Sequence, residues 1–169
     1  WHGGMSFHGG LIGSILAGFI FCKKTSALFW QTADIVIVTA PIGLGLGRLG
    51  NFINAELYGR VTDVPWAMIF PSGGNAPRHP SQLYELFLEG ILLFAVLWTA
   101  KDIKNIKQGG VTALFIILYG AFRFLVEFFR EPDIQVGYIF GILTMGQILS
   151  GAMIAFGLWL FYIRQKAHR

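Results

Sequence analysis

The chain has 169 residues, of which 54% are hydrophobic and 13% charged, and it carries a formal net charge of +4. Soluble domains carry about 25% charged residues, so this composition, with a mean hydropathy of +0.60, excludes an ordinary water-soluble domain and points to a membrane protein. The basic balance does not signal nucleic acid, because the basic residues are scattered between long apolar runs, and a single cysteine, Cys22, excludes an internal disulfide framework.

A membrane helix takes about 20 mostly apolar residues. Five stretches reach or approach that length: 6–22, 34–55, 82–100, 111–129 and 142–163. The expected fold is an all-α integral membrane protein, with residues 1–169 as a single polytopic domain of about five transmembrane helices. Connectors are short and rich in Gly, Pro, Lys or Asp, which suits helix ends. The longest, residues 56–80, reads as a small extracytoplasmic (periplasmic) loop region, with the run 66–70 either a short strand or a segment lying on the membrane. The chain opens at Trp1 with no initiator Met and no basic segment leading into an apolar one, so an N-terminal part is expected to be missing.

Charge placement orients the spans. Lys23 and Lys24 follow the first span, Lys101, Lys104 and Lys107 the third, and Arg164, Lys166 and Arg169 the fifth. With alternating spans these positions share one side, which the positive-inside rule makes cytoplasmic. Every lysine falls there. The other basic residues, Arg48, Arg60, Arg78, Arg123 and Arg130, are all arginines within spans or on the opposite side, and they need another explanation.

Arg48 and Arg123 sit inside apolar spans, where an arginine at mid-span costs about 2.5–3.5 kcal/mol on insertion scales and normally faces a polar cavity. Both lie toward the non-lysine end. Asn51 shares a helical face with Arg48, Glu127 and Tyr119 share one with Arg123, and Gln82, Glu85 and Glu89 form a third stripe. The simplest packing points the three stripes at one another. The bland alternative makes Arg123 and Glu127 a structural i,i+4 ion pair, and leaves Glu85 in the headgroup layer. Gly43 and Gly47 read as a small-xxx-small packing pair. The run from Gly45 to Gly50 fits G-x-G-x-x-G, but it lacks the βαβ setting of a dinucleotide site and is rejected. His2, His8 and His79 fall on the arginine side without metal-pair spacing, so no metal is expected.

The segment 47–59, GRLGNFINAELYG, resembles the defining motif of prolipoprotein diacylglyceryl transferases. The resemblance continues in 5–13 (MSFHGGLIG), 78–85 (RHPSQLYE) and 119–133 (YGAFRFLVEFFREPD), four blocks in the family's order. It implies further N-terminal spans with a functional tyrosine, and a loop before Arg78 that is short for the family. It also implies an enzyme of the bacterial inner (cytoplasmic) membrane, with its active site toward the periplasm. Such enzymes move the diacylglyceryl group of phosphatidylglycerol onto the lipobox cysteine of a prolipoprotein signal peptide and release glycerol phosphate. The implied partners are phosphatidylglycerol, that peptide and membrane lipid, with no nucleic acid and no cofactor. Arg48 and Arg123 are then expected at the lipid phosphate and His8 as the base for the thiol. Asn51 would hold the headgroup or orient Arg48, Glu56 and Glu127 would aim the arginines, and Gly59 and Tyr119 complete the expected substrate-binding set. An anion transporter and a purely structural membrane subunit are the rival classes; no inverted repeat supports the first.

Overall fold

The computed structural model describes residues 7–131, 138–139 and 143–166, and it is mostly helical. Helices α1 (Phe7–Thr25), α2 (Phe29–Ile37) and α3 (Ala40–Ile53) come first, followed by a long loop. Then come α4 (Ser81–Ala100), α5 (Gly110–Val126) and α6 (Met145–Lys166). Two-residue strands β1 (Tyr138–Ile139) and β2 (Leu143–Thr144) pair antiparallel just before α6. Residues Phe29–Ile53, Ser81–Ala100 and Met145–Lys166 are long and apolar enough to cross a membrane, and α5 is a shorter apolar helix. The residues turned outward are apolar (Leu16, Phe19, Ile35, Ile91, Trp98, Leu158 and Trp159 among them), as lipid contact requires.

The second expected span is two helices, not one. Pro41 sits in the first turn of α3, where its missing N–H and its ring break the ladder to Ile37, and the chain steps through Val38 and Thr39. In α4 the middle turn Leu86–Leu92 widens to a π-helix. There α3 and α4 touch backbone to backbone: a methyl group on Gly90 would stand 2.9 Å from the Gly45 Cα. The close approach therefore uses Gly45. The expected pair Gly43 and Gly47 faces open space, because two residues along an α-helix turn a side chain to nearly the opposite face.

An apolar core of Val38, Leu93, Leu97 and Val111, with Phe94, Phe115 and Leu118 around it, fills the half of the bundle nearer the lysines. At that end Asp34 of α2 caps α5, accepting from Gly109 N–H (2.6 Å), Thr112 N–H (2.8 Å) and the Thr112 hydroxyl (2.7 Å). Helices α5 and α6 pack closely where Gly120 meets the Ser150 carbonyl and Gly157 meets the Ile117 backbone. The loop between α3 and α4 folds back over the other end. Gly59 N–H donates to the His79 carbonyl (2.9 Å) and Arg60 N–H to the Phe129 carbonyl (2.9 Å). Within the run 66–70, Met68 pairs antiparallel with Arg78 as an isolated bridge, while Trp66 is exposed and donates its indole N–H to the Tyr84 hydroxyl (2.6 Å).

Candidate active site

The polar stripes of α3, α4 and α5 do meet. Glu85, fully buried on α4, is their hub. Its Oε1 accepts from Arg123 Nη1 and Arg130 Nη1, each at 3.0 Å, and its Oε2 lies 3.2 Å from Arg48 Nε. Arg48 Nη2 is 3.6 Å from Glu89 Oε2, one turn deeper along α4. Arg123 Nη2 pairs with Glu127 Oε2 at 2.9 Å, and Arg130 Nε lies 3.7 Å from the same oxygen. The other Glu127 oxygen accepts from the Thr144 hydroxyl (2.9 Å). The Glu127 carboxylate lies flat on Gly146 in the first turn of α6, so close that a Cβ there would stand 2.7 Å from its Cδ. Negative charge at a helix N-terminus is favourable.

The layering is one-sided. The Glu85 and Glu89 side chains are 0% exposed, whereas those of Arg48, Arg123 and Arg130 are 17%, 18% and 12% exposed. Glu85 and Glu89 are thus enclosed while the guanidinium groups keep some exposed surface, so an anion reaching the cluster meets arginine before these two acids. Each guanidinium is fixed by a buried counter-charge yet keeps planar N–H donors that suit phosphate oxygens.

The expected site residues divide accordingly. Arg48, Arg123 and Glu127 converge in the cluster. Tyr119 stacks on Phe115 one turn down α5, within electrostatic reach of Glu89, Arg48, Arg123 and Glu85. Asn51 is half-buried on α3, one turn beyond Arg48. Glu56 does not aim an arginine: its side chain is exposed and in no ion pair among the described residues, and its backbone carbonyl accepts from Gln82 Nε2 (2.7 Å). Gly59 is buried where the loop crosses the end of α5; a Cβ there would collide with the Phe129 carbonyl, so its evident work is backbone packing. The side chain of His8 lies outside the described residues. His79 packs edge-on against Tyr84 and Phe129. Arg78 braces the loop, donating to the Gly73 and Gly59 carbonyls and pairing with Glu131.

Sequence reasoning missed the hub role of Glu85 and the membership of Arg130, Thr144 and Gly146. One signal for Arg130 was present, since positions 123, 127 and 130 recur at helical spacing on one face.

A family model for prolipoprotein diacylglyceryl transferase matches residues 1–163. The chain belongs to that family. A phosphatidylglycerol–prolipoprotein diacylglyceryl transferase from Desulfotalea psychrophila is 56% identical over 98% of this chain and 64% of its own length. One from Pasteurella multocida is 62% identical over 93% of this chain and 58% of its own. One from Legionella pneumophila strain Philadelphia 1 is 52% identical over 98% and 64%. The chain thus spans about six tenths of the length of the curated relatives it matches. Family membership and the apolar spans together make this a membrane protein of the prolipoprotein diacylglyceryl transferase family.

Proposed function

We propose that this chain carries the phosphate-holding part of a phosphatidylglycerol–prolipoprotein diacylglyceryl transferase. The substrate classes come from the names of its relatives. The observation that carries the reading is the convergence of Arg48, Arg123 and Arg130 on the Glu85 carboxylate, with their guanidinium groups on the accessible side. Segregation of all lysines to the opposite end supports an orientation with this cluster toward the periplasmic side of the bacterial inner membrane.

In the reaction the lipobox cysteine sulfur forms a bond to the terminal glyceryl carbon, and the bond from that carbon to the phosphate oxygen breaks. The thiol gives up its proton. The phosphodiester, at about −1, becomes a phosphate monoester approaching −2. Charge therefore grows on phosphate in a poorly hydrated site, where preorganised guanidinium groups stabilise it more than they stabilise the bound lipid. Arg48 and Arg123 hold the phosphate; Glu127 fixes Arg123, and Glu85 fixes both arginines with Arg130. Asn51 and Tyr119 border the headgroup, and His8 takes the thiol proton.

The test is incubation of the purified intact protein with phosphatidylglycerol and a lipobox peptide, read as the mass gain of the peptide. Transfer that stays near normal in Arg48→Ala or Arg123→Ala removes the phosphate assignment. Transfer unchanged across neutral pH in His8→Gln removes the base.

A further inference from the structure

Three carboxylates hold the arginine cluster, and they are held unequally. Glu85 faces three guanidinium groups and accepts hydrogen bonds from two of them. Glu127 accepts from the Thr144 hydroxyl, pairs with Arg123 at 2.9 Å and lies on the first turn of α6. Glu89 has far less. It is fully buried, and among the described residues neither of its oxygens accepts a hydrogen bond and its one ion pair is to Arg48 Nη2 at 3.6 Å. The charged and titratable groups facing it are Arg48 from α3, Glu85 from its own helix, Tyr119 and Arg123 from α5, and Arg130 just beyond α5. Its place in the π-turn of α4, next to the Gly45–Gly90 contact, keeps it against the Arg48 side chain. Of the three acids it loses the fewest contacts when a proton neutralises it.

Formal charge gives this a consequence. Among the described residues, the three carboxylates when ionised cancel Arg48, Arg123 and Arg130, and the cluster then offers an incoming anion no net attraction. A proton on one acid leaves a single positive charge, the match for a phosphodiester monoanion. We propose that Glu89 is the proton-exchanging residue of the anion site: a phosphodiester headgroup binds at the arginines together with one proton, taken from the medium and held on the Glu89 carboxylate. No bond in the lipid changes in this step; a carboxylate and a proton become a carboxylic acid. The inference rests on the phosphate reading of the arginines.

Short-chain phosphatidylglycerol suits the test, because its diester exchanges no proton near neutral pH. Calorimetric titration of the intact protein in two buffers of different ionisation enthalpy counts the protons bound with the lipid. The expected result is uptake approaching one proton per lipid at the alkaline end, with affinity falling about tenfold per pH unit there. Glu89→Gln, neutral at every pH, is expected to bind without uptake and with a flat pH profile. An unaltered protein that binds the lipid with no proton uptake overturns the assignment. So does uptake that persists in Glu89→Gln, and its loss in His8→Gln would move the proton to that histidine. Arg48→Ala and Arg123→Ala separate the two levels. If they weaken binding, the phosphate reading stands whatever becomes of Glu89; if they leave it unchanged, that reading and this one fall together. Should Glu89→Gln fail to fold, infrared difference spectra of the unaltered protein replace it. A carboxylic-acid carbonyl band appearing on lipid binding supports the assignment, and a spectrum without one overturns it.

Discussion

At the lysine end of the bundle Asp34 gives both carboxylate oxygens to the start of α5, and Arg164 gives its Nε–H to the Gln108 carbonyl while its guanidinium lies over the Trp30 ring. At the arginine end Glu85, Glu89 and Glu127 face guanidinium groups instead of backbone amides. Both ends pair acids with donors, but at one end the donors are backbone amides and at the other they are guanidinium groups. An acid bound to backbone N–H groups fixes a helix and is then exhausted. Acids beneath arginines hold cations at an accessible surface and leave them able to bind something else. The difference separates an end that shapes the fold from an end that gathers guanidinium groups, the feature on which the proposed phosphate site rests.

The sharpest way to break this comparison is Glu85→Ala. Removing one partner of a buried ion pair typically costs about 3–5 kcal/mol, and here three guanidinium groups lose a counter-charge at once. Thermal unfolding in detergent should show a large drop; an unchanged Tm would mean the hub holds nothing together. Arg123→Ala comes next, expected to raise the barrier to diacylglyceryl transfer by about 3–4 kcal/mol, a rate loss of roughly 10²–10³ in single-turnover assays. Arg48→Lys should fail to restore the rate of Arg48→Ala, because an ammonium lacks the planar fork, and full rescue would reduce the cluster to simple charge. Asp34→Ala should cost only about 0.5–2 kcal/mol of stability, the range for a lost helix cap, measured by the same unfolding transition. Smallest of all, Lys101→Ala should shift stability by less than about 0.5 kcal/mol, since its pairing with Asp102 is surface-exposed.

Much of this was legible in the sequence. Long apolar runs located α4, α5 and α6 to within a few residues, because lipid imposes both length and composition. The stripe of Gln82, Glu85 and Glu89 was visible as helical spacing, and all three residues are buried together. Their partners were not visible, since spacing gives the face of a helix but not which faces meet. Asp34 was placed as the edge of a span, whereas α2 begins at Phe29 and Asp34 lies inside it; an acid within an apolar run looks like an end unless the amides it caps, 75 and 78 residues away, are known. Glu56 shows the opposite case. Its motif suggested a carboxylate at work, but its contribution among the described residues is a carbonyl to Gln82, and backbone roles leave no mark on residue type.

The flat seat of the Glu127 carboxylate on Gly146 leaves no room there for even the smallest side chain. Glycine to alanine is ordinarily the mildest exchange a helix accepts, and often a stabilising one. At position 146 a single methyl would lift the acid from its seat and set Arg123 and Arg130 adrift from one of their anchors. A wall of the arginine cluster thus depends on a residue with no side chain.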